Sequence, residues 1–215
     1  MATDSAVAKF FRGYGRLTIF MIPIGIAINF IGGQIALLLK LPVYLDSIGT
    51  ILVGATCGML PGAIVGAISN ILNSITSPPT LAFGVLSILF GLLAGFLGRR
   101  GIFRTWWKAL LSAIPFALIG GVLGAIITIL VFGGLAVGGG AIVVGLLVAV
   151  GLDTNTANFV AQVPMDVLDK VPTVLIVYAI IKGLPKRILS KLPLGYVYLG
   201  KDKTAQRTAT PTPAA

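Results

Sequence analysis

Apolar runs about twenty residues long recur along this chain, and that is the length an α-helix needs to cross the hydrocarbon of a bilayer. The longest are residues 17–39, 81–97, 106–132 and 158–181. Lipid offers backbone groups no hydrogen bonds, so such runs fold as helices. Of 215 residues, 57% are hydrophobic and 10% charged, where a soluble domain carries about a quarter charged. The sequence therefore predicts an all-α integral membrane protein, a bundle of about six transmembrane helices. Three regions follow: a cytoplasmic N-terminal segment 1–16, a membrane domain 17–190, and a cytoplasmic tail 191–215. The tail is rich in Thr, Pro and Ala from Lys201 and predicts disorder. No stretch remains for a soluble nucleotide-binding domain, so any ATP-driven work needs a motor on another chain.

The first span, 17–39, is too long for a signal-peptide core of about 7–15 residues and no cleavage site follows it, although Lys9, Arg12 and Arg16 precede it. A short connection, 40–47, contains Pro42 and Asp46, with Asp46 placed to cap the next helix. Spans two and three, 48–60 and 63–75, are separated by the breaker cluster Gly58-Met59-Leu60-Pro61-Gly62 rather than forming one kinked helix. Residues 76–80 predict a loop before span four, 81–97, and span five runs from Trp106 to about Phe132. After the glycine-rich 133–140, the apolar run 141–152 is too short to cross and predicts a re-entrant or surface-lying helix. Span six is 158–181.

Charge sets the orientation. With the N-terminus inside, an even number of spans returns Arg99, Arg100, Arg104 and Lys108, then Lys182, Lys186, Arg187 and Lys191, to the cytoplasm. Only Lys40 falls in an external loop and only Lys170 within a span. Both termini are thus expected in the cytoplasm, with Trp106 and Trp107 at the inner interface. This clustering at span ends, rather than nucleic-acid binding, accounts for the net charge of +10.

The residue inventory argues against an enzyme. There is no histidine, one cysteine (Cys57) and no glutamate among the six acidic residues, which removes the commonest general base and metal ligand. No cofactor is expected. Small residues recur at fourfold spacing, Gly54, Gly58 and Gly62, Ala63 and Ala67, Gly91 and Gly95, Gly120 and Gly124. Such pairs let helices approach closely in lipid.

The last span carries the candidate site. Asn158, Gln162, Asp166 and Asp169 are spaced by four, four and three and share a helical face. Lys170 lies four after Asp166, which is its expected partner, with Asp169 facing along the stripe or pairing to another helix. Below them the helix turns apolar through Val174, Leu175, Ile176 and Val177, which predicts a cavity open outward and closed below. Charges at such depth are costly and usually face a cavity or a partner. Span three adds Asn70 and Asn73, and span one adds Asn29 and Gln34, each either gluing helices or contacting a ligand. The outer half has few aromatics, chiefly Tyr44, Phe83, Phe132 and Phe159.

Two segments carry a resemblance. One is Pro42-Val43-Tyr44-Leu45-Asp46-Ser47-Ile48-Gly49-Thr50, followed by Gly58 to Gly66 and Asn70. The other is Val163-Pro164-Met165-Asp166-Val167-Leu168-Asp169-Lys170, leading to a basic Leu184-Pro185-Lys186-Arg187. In order, size and topology the chain, over about 17–190, resembles the substrate-binding S components of energy-coupling factor transporters. The resemblance implies a pocket for a vitamin or similar micronutrient, covered by loops 40–47, 76–80 and 133–156. It also implies a transmembrane coupling protein and two ATPase subunits as partners. Such components often carry an Ala-x-x-x-Ala patch in span one, where this chain offers only Gly25, Ala27, Gly32 and Ala36. A stand-alone sensor or scaffold module, and a proton-coupled carrier using Asp166 or Asp169, are the alternative functions.

Overall fold

The computed structural model describes residues 15–41, 43–136 and 140–199. Lys9, Arg12, Pro42, the middle of the glycine-rich segment and the tail from residue 200 lie outside the described residues. The described chain is helical without strands.

Helix α1 (Arg16–Leu38) leads through a non-helical segment to the ten-residue α2 (Ile48–Cys57), which breaks at Gly58 into α3 (Met59–Thr76). Gly58 has φ +113°, a region open to glycine at little cost. The break thus falls before Pro61, which sits in the first turn of α3, where its missing N–H is harmless. A 3₁₀ turn (Pro78–Phe83) introduces α4 (Gly84–Arg99). Next come α5 (Trp106–Leu118), a π-helical turn (Ile119–Leu123) and α6 (Gly124–Phe132), which together form one continuous helix. Helix α7 (Gly140–Ala149) precedes the thirty-residue α8 (Thr154–Gly183) and the short α9 (Lys186–Leu189).

Among the described residues four stretches are long and apolar enough to cross a membrane: Arg16–Leu38, Met59–Thr76, Pro78–Arg99 and Trp106–Phe132. Their outward surfaces carry exposed Phe20, Ile31, Ile71, Val85, Ile114 and Leu130, the pattern of helices that face lipid rather than water. Helix α2 is about 15 Å long at 1.5 Å per residue, half of the hydrocarbon thickness. Helix α8 is long enough, but its buried polar stripe keeps it outside the apolar set.

Small residues bring α2, α3 and α4 into backbone contact. A Cβ on Gly91 would strike the backbone of Gly62, and one on Gly95 would strike Met59. Gly54 faces Ala94 and the carbonyl of Gly91, and Gly98 faces Ala55. The fourfold glycine pattern is thus consumed in packing within the bundle. Likewise Gly25 of α1 meets Gly49 of α2. Asn29, fully buried, stitches these helices together. Its Nδ2 donates to Thr50 Oγ1 (2.7 Å) and Ser69 Oγ (3.0 Å), and its Oδ1 accepts from the Gly49 N–H (2.6 Å). Asn29 is therefore glue.

Two expectations change. Asp46 does not cap α2: Ser47 occupies the N-cap position, and no side chain bonds there. The boundary at 190 also moves, because the chain stays packed to Leu199. Leu192 and Leu194 are buried, the Leu194 N–H donates to the Thr56 carbonyl (2.9 Å), and the Tyr198 hydroxyl donates to the Ala55 carbonyl (2.9 Å). These bonds satisfy carbonyls at the end of α2 that have no partner within the helix. Helix α7 does not cross the bundle. It folds back along the first half of α8, burying Val144 against Ala157, Ala161 and Met165.

Candidate functional site

The segment between α1 and α2 descends into the bundle instead of looping over it. Its placement rests on Asp169 of α8, whose Oδ1 accepts the backbone N–H groups of Tyr44 and Leu45, both at 2.8 Å. Leu45 has φ +52°, a left-handed conformation unfavourable for a residue with a branched side chain. Its carbonyl lies where a Cβ on Gly32 of α1 would stand, so α1 can accept the segment only with glycine at that position. Irregular backbone inside a membrane protein is tolerated where protein covers it or where it lines a cavity, and this segment does both.

The polar stripe of α8 turns inward along its whole length, with Asn158, Gln162, Asp166, Asp169 and Lys170 all buried. Asn158 donates to the Ala125 carbonyl (3.1 Å) and ties α8 to α6. Gln162 donates to Thr128 Oγ1 (3.3 Å) and accepts from the Tyr44 hydroxyl (3.1 Å). Lys170 is paired more closely with its neighbour Asp169 than with Asp166, which stands 3.8 Å away. The expected pairing with Asp166 is present, and Asp169 is a second, closer partner. Two backbone N–H groups fix the orientation of the Asp169 carboxyl, and Lys170 bends toward it and toward Ser47 Oγ (3.2 Å). The ammonium also lies 4.6 Å from the centre of the Phe90 ring, a cation–π distance.

These elements enclose a cavity of about 150 Å³ at the end of the bundle remote from the basic residues. Gln162, Asp166 and Lys170 form one wall and Asn70 and Asn73 the facing one. Leu41, Val43, Tyr44 and Asp46 come from the inserted segment, and Thr76, Ser77 and Thr80 from the α3–α4 connection. Gln34 stands at the mouth, bonded to Thr76 Oγ1 (2.8 Å). Asn158 and Asp169 do not line it; they act from behind, as helix glue and segment anchor. No described residue of 133–156 lines it either. The loop cover implied by the resemblance thus corresponds here to segments 40–47 and 76–80.

The π-helical turn completes the wall. It places Gly120 against Asp166 and Gly121 against Val163, so closely that a Cβ on Gly120 would collide with the Asp166 carboxylate. Wide helical turns of this kind occur often at functional sites. Sequence reasoning missed Phe90, Leu86, Ser87 and Gly120, which all border the cavity. Phe90 sits in an apolar run much like that of the exposed Phe96, and only the fold separates them. Phe159 is partly exposed and stands away from the cavity, and Phe132 stacks on Phe83 at 6.2 Å behind its wall.

At the opposite end Arg100, Arg104, Lys108, Lys182 and Lys186 surround a second recess with Phe103 and Tyr198. One end of the molecule is therefore basic, and the other holds the polar cavity.

These features define a class: a helical bundle with helices long and apolar enough to cross a membrane and a polar cavity at one end. No protein family, curated protein or solved structure matches this chain.

Proposed function

We propose that this chain is the substrate-capture subunit of an ATP-driven importer of the energy-coupling factor type, binding a vitamin-like micronutrient from outside the cell. One observation carries the reading: the two segments that bear the resemblance meet at the cavity. Tyr44 and Leu45 of the first are hydrogen-bonded to Asp169 of the second, and both segments contribute lining residues.

In this reading six helical segments, α1, α2, α3, α4, α5–α6 and α8, cross the cell membrane, α2 being shortened by the inserted segment. The termini and the basic recess face the cytoplasm, following the positive-inside distribution. The cavity opens outward. Asp169 and Lys170 hold the inserted segment, while Asn70, Asn73, Gln162 and Asp166 face the ligand and Asn158 positions α8. A transmembrane coupling protein and two ATPase subunits supply the drive.

The test is affinity capture of the chain in mild detergent, together with uptake assays on the small molecule that co-purifies. The reading expects ATPase and coupling subunits in the eluate and uptake that stops on ATP depletion. Uptake that survives ATP depletion but collapses with the proton gradient would replace it with a carrier mechanism. A chain that brings down no ATPase and moves no solute would be a sensor or scaffold.

A further inference from the structure

We infer that the molecule captured in this cavity is an organic cation: a protonated amine or charged nitrogen heterocycle with a flat apolar body. The inference rests on the capture reading above and adds the chemistry of what is captured.

Charge carries it. Asp46, Asp166 and Lys170 line the cavity, and Asp169 stands directly behind Lys170. Three carboxyl groups thus surround one ammonium. An ammonium has three donors, and two of those of Lys170 are engaged in hydrogen bonds within the protein. Asp169 and Ser47 accept from it, and the Phe90 ring covers it at 4.6 Å. Little of this cation is left for an anionic ligand.

Asp166 differs. Its cationic neighbour is Lys170, at 3.8 Å, longer than a hydrogen bond. Among the described residues Asp46 accepts no hydrogen bond from another residue, although it borders the cavity. Two more acceptors stand opposite. Asn70 Oδ1 and Asn73 Oδ1 are buried without a hydrogen-bond partner, on side chains that line the same space. Buried acceptors are seldom left unpaired. A ligand bearing N–H donors can satisfy these oxygens.

The remaining wall is aromatic. Tyr44, Phe83 and Phe90 offer ring faces, which attract cations and hold flat apolar groups. The volume of about 150 Å³ is that of an interior known to admit benzene, so one ring sits inside with its charged nitrogen toward Asp166.

The full chain, purified in detergent, tests this with three matched probes at neutral pH: benzylamine, benzyl alcohol and benzoate. Calorimetric titration should show benzylamine binding at least tenfold more tightly than benzoate, with benzyl alcohol between them. Asp166→Asn should erase most of that preference, and Asp46→Asn should reduce it independently if the first variant folds poorly. Benzoate binding as tightly as benzylamine, or a preference unchanged in both variants, would overturn the cationic assignment while leaving the capture reading standing. Absence of saturable binding by all three probes, with no small molecule co-purifying, would overturn both.

Discussion

The carboxylate of Asp169 holds the backbone N–H of Leu45 at 2.8 Å across 124 positions of sequence. It thereby joins the segment before α2 to the middle of α8. The same carboxylate binds the Tyr44 N–H and the Lys170 ammonium, so one side chain positions both a wall of the cavity and its cation. Removing one member of a buried charge pair typically destabilises by about 3–5 kcal/mol. Asp169→Ala should therefore lower thermal stability in detergent strongly, and the inserted segment should lose protection in hydrogen exchange.

Asp166→Asn should behave in the opposite way. Lys170 keeps Asp169 and Ser47 in this variant, so the fold survives with a melting temperature within a few degrees of wild type. Ligand affinity should fall roughly ten- to a hundredfold, the usual worth of a hydrogen bond to a charged group, about 1.5–3 kcal/mol. Thermal unfolding and ligand titration on one preparation separate the two effects.

The π-helical turn gives a steric test. Gly120→Val would drive Asp166 and Phe90 away, since a Cβ there meets both. Gly145→Ala is the control, because its added Cβ meets nothing within 4 Å and the residue does not line the cavity. Titration should show ligand binding lost in the first and retained in the second.

Much of this was legible in the sequence, and what was hidden has physical causes. The polar spacing on α8 pointed to the buried stripe, because a thirty-residue helix repeats its faces regularly and Gln162, Asp166 and Lys170 could only turn inward. Asn70 and Asn73 pointed to the facing wall for the same reason. The closer pairing of Lys170 with Asp169 was hidden. Helical spacing ranks Asp166 first, and the backbone N–H groups that fix Asp169 come from residues far away in sequence. Phe90 and Gly120 were hidden because apolar runs look alike whether a residue meets lipid or cavity. The packed segment 191–199 was hidden because its three buried positions, Leu192, Leu194 and Gly195, and the hydroxyl contact of Tyr198 follow no helical period.

That segment makes its own prediction. Tyr198→Phe deletes the hydroxyl bond to the Ala55 carbonyl and should lower stability by about 1 kcal/mol. Ligand affinity should stay unchanged, because the bond lies at the basic end of the bundle. Chemical unfolding and ligand titration check the two halves of this statement.

The start of α8 supplies a pH dependence. The Thr156 side chain, together with the Thr156 N–H that donates to the Asp153 carboxylate at 3.0 Å, holds that carboxyl below the ordinary carboxylate range. A depressed carboxyl contributes stability above its unfolded-state value, near pH 3.9, and loses it as pH falls through the folded value. Exchange protection at the first turn of α8 should be constant above about pH 5 and decline on acidification. Asp153→Asn should flatten that decline.

Orientation is tested by cysteine labelling of intact cells. The proposed topology expects an impermeant reagent to reach Thr76→Cys and to miss Ser190→Cys. Labelling of Ser190→Cys from outside would overturn the six-crossing arrangement.

The most direct measurement is native mass spectrometry of the chain released from its own membrane. The capture reading predicts one small organic molecule bound per chain, absent from Gly120→Val and weakened in Asp166→Asn. A wild-type chain that always emerges free of small molecules, or one whose adduct persists unchanged in both variants, would contradict it.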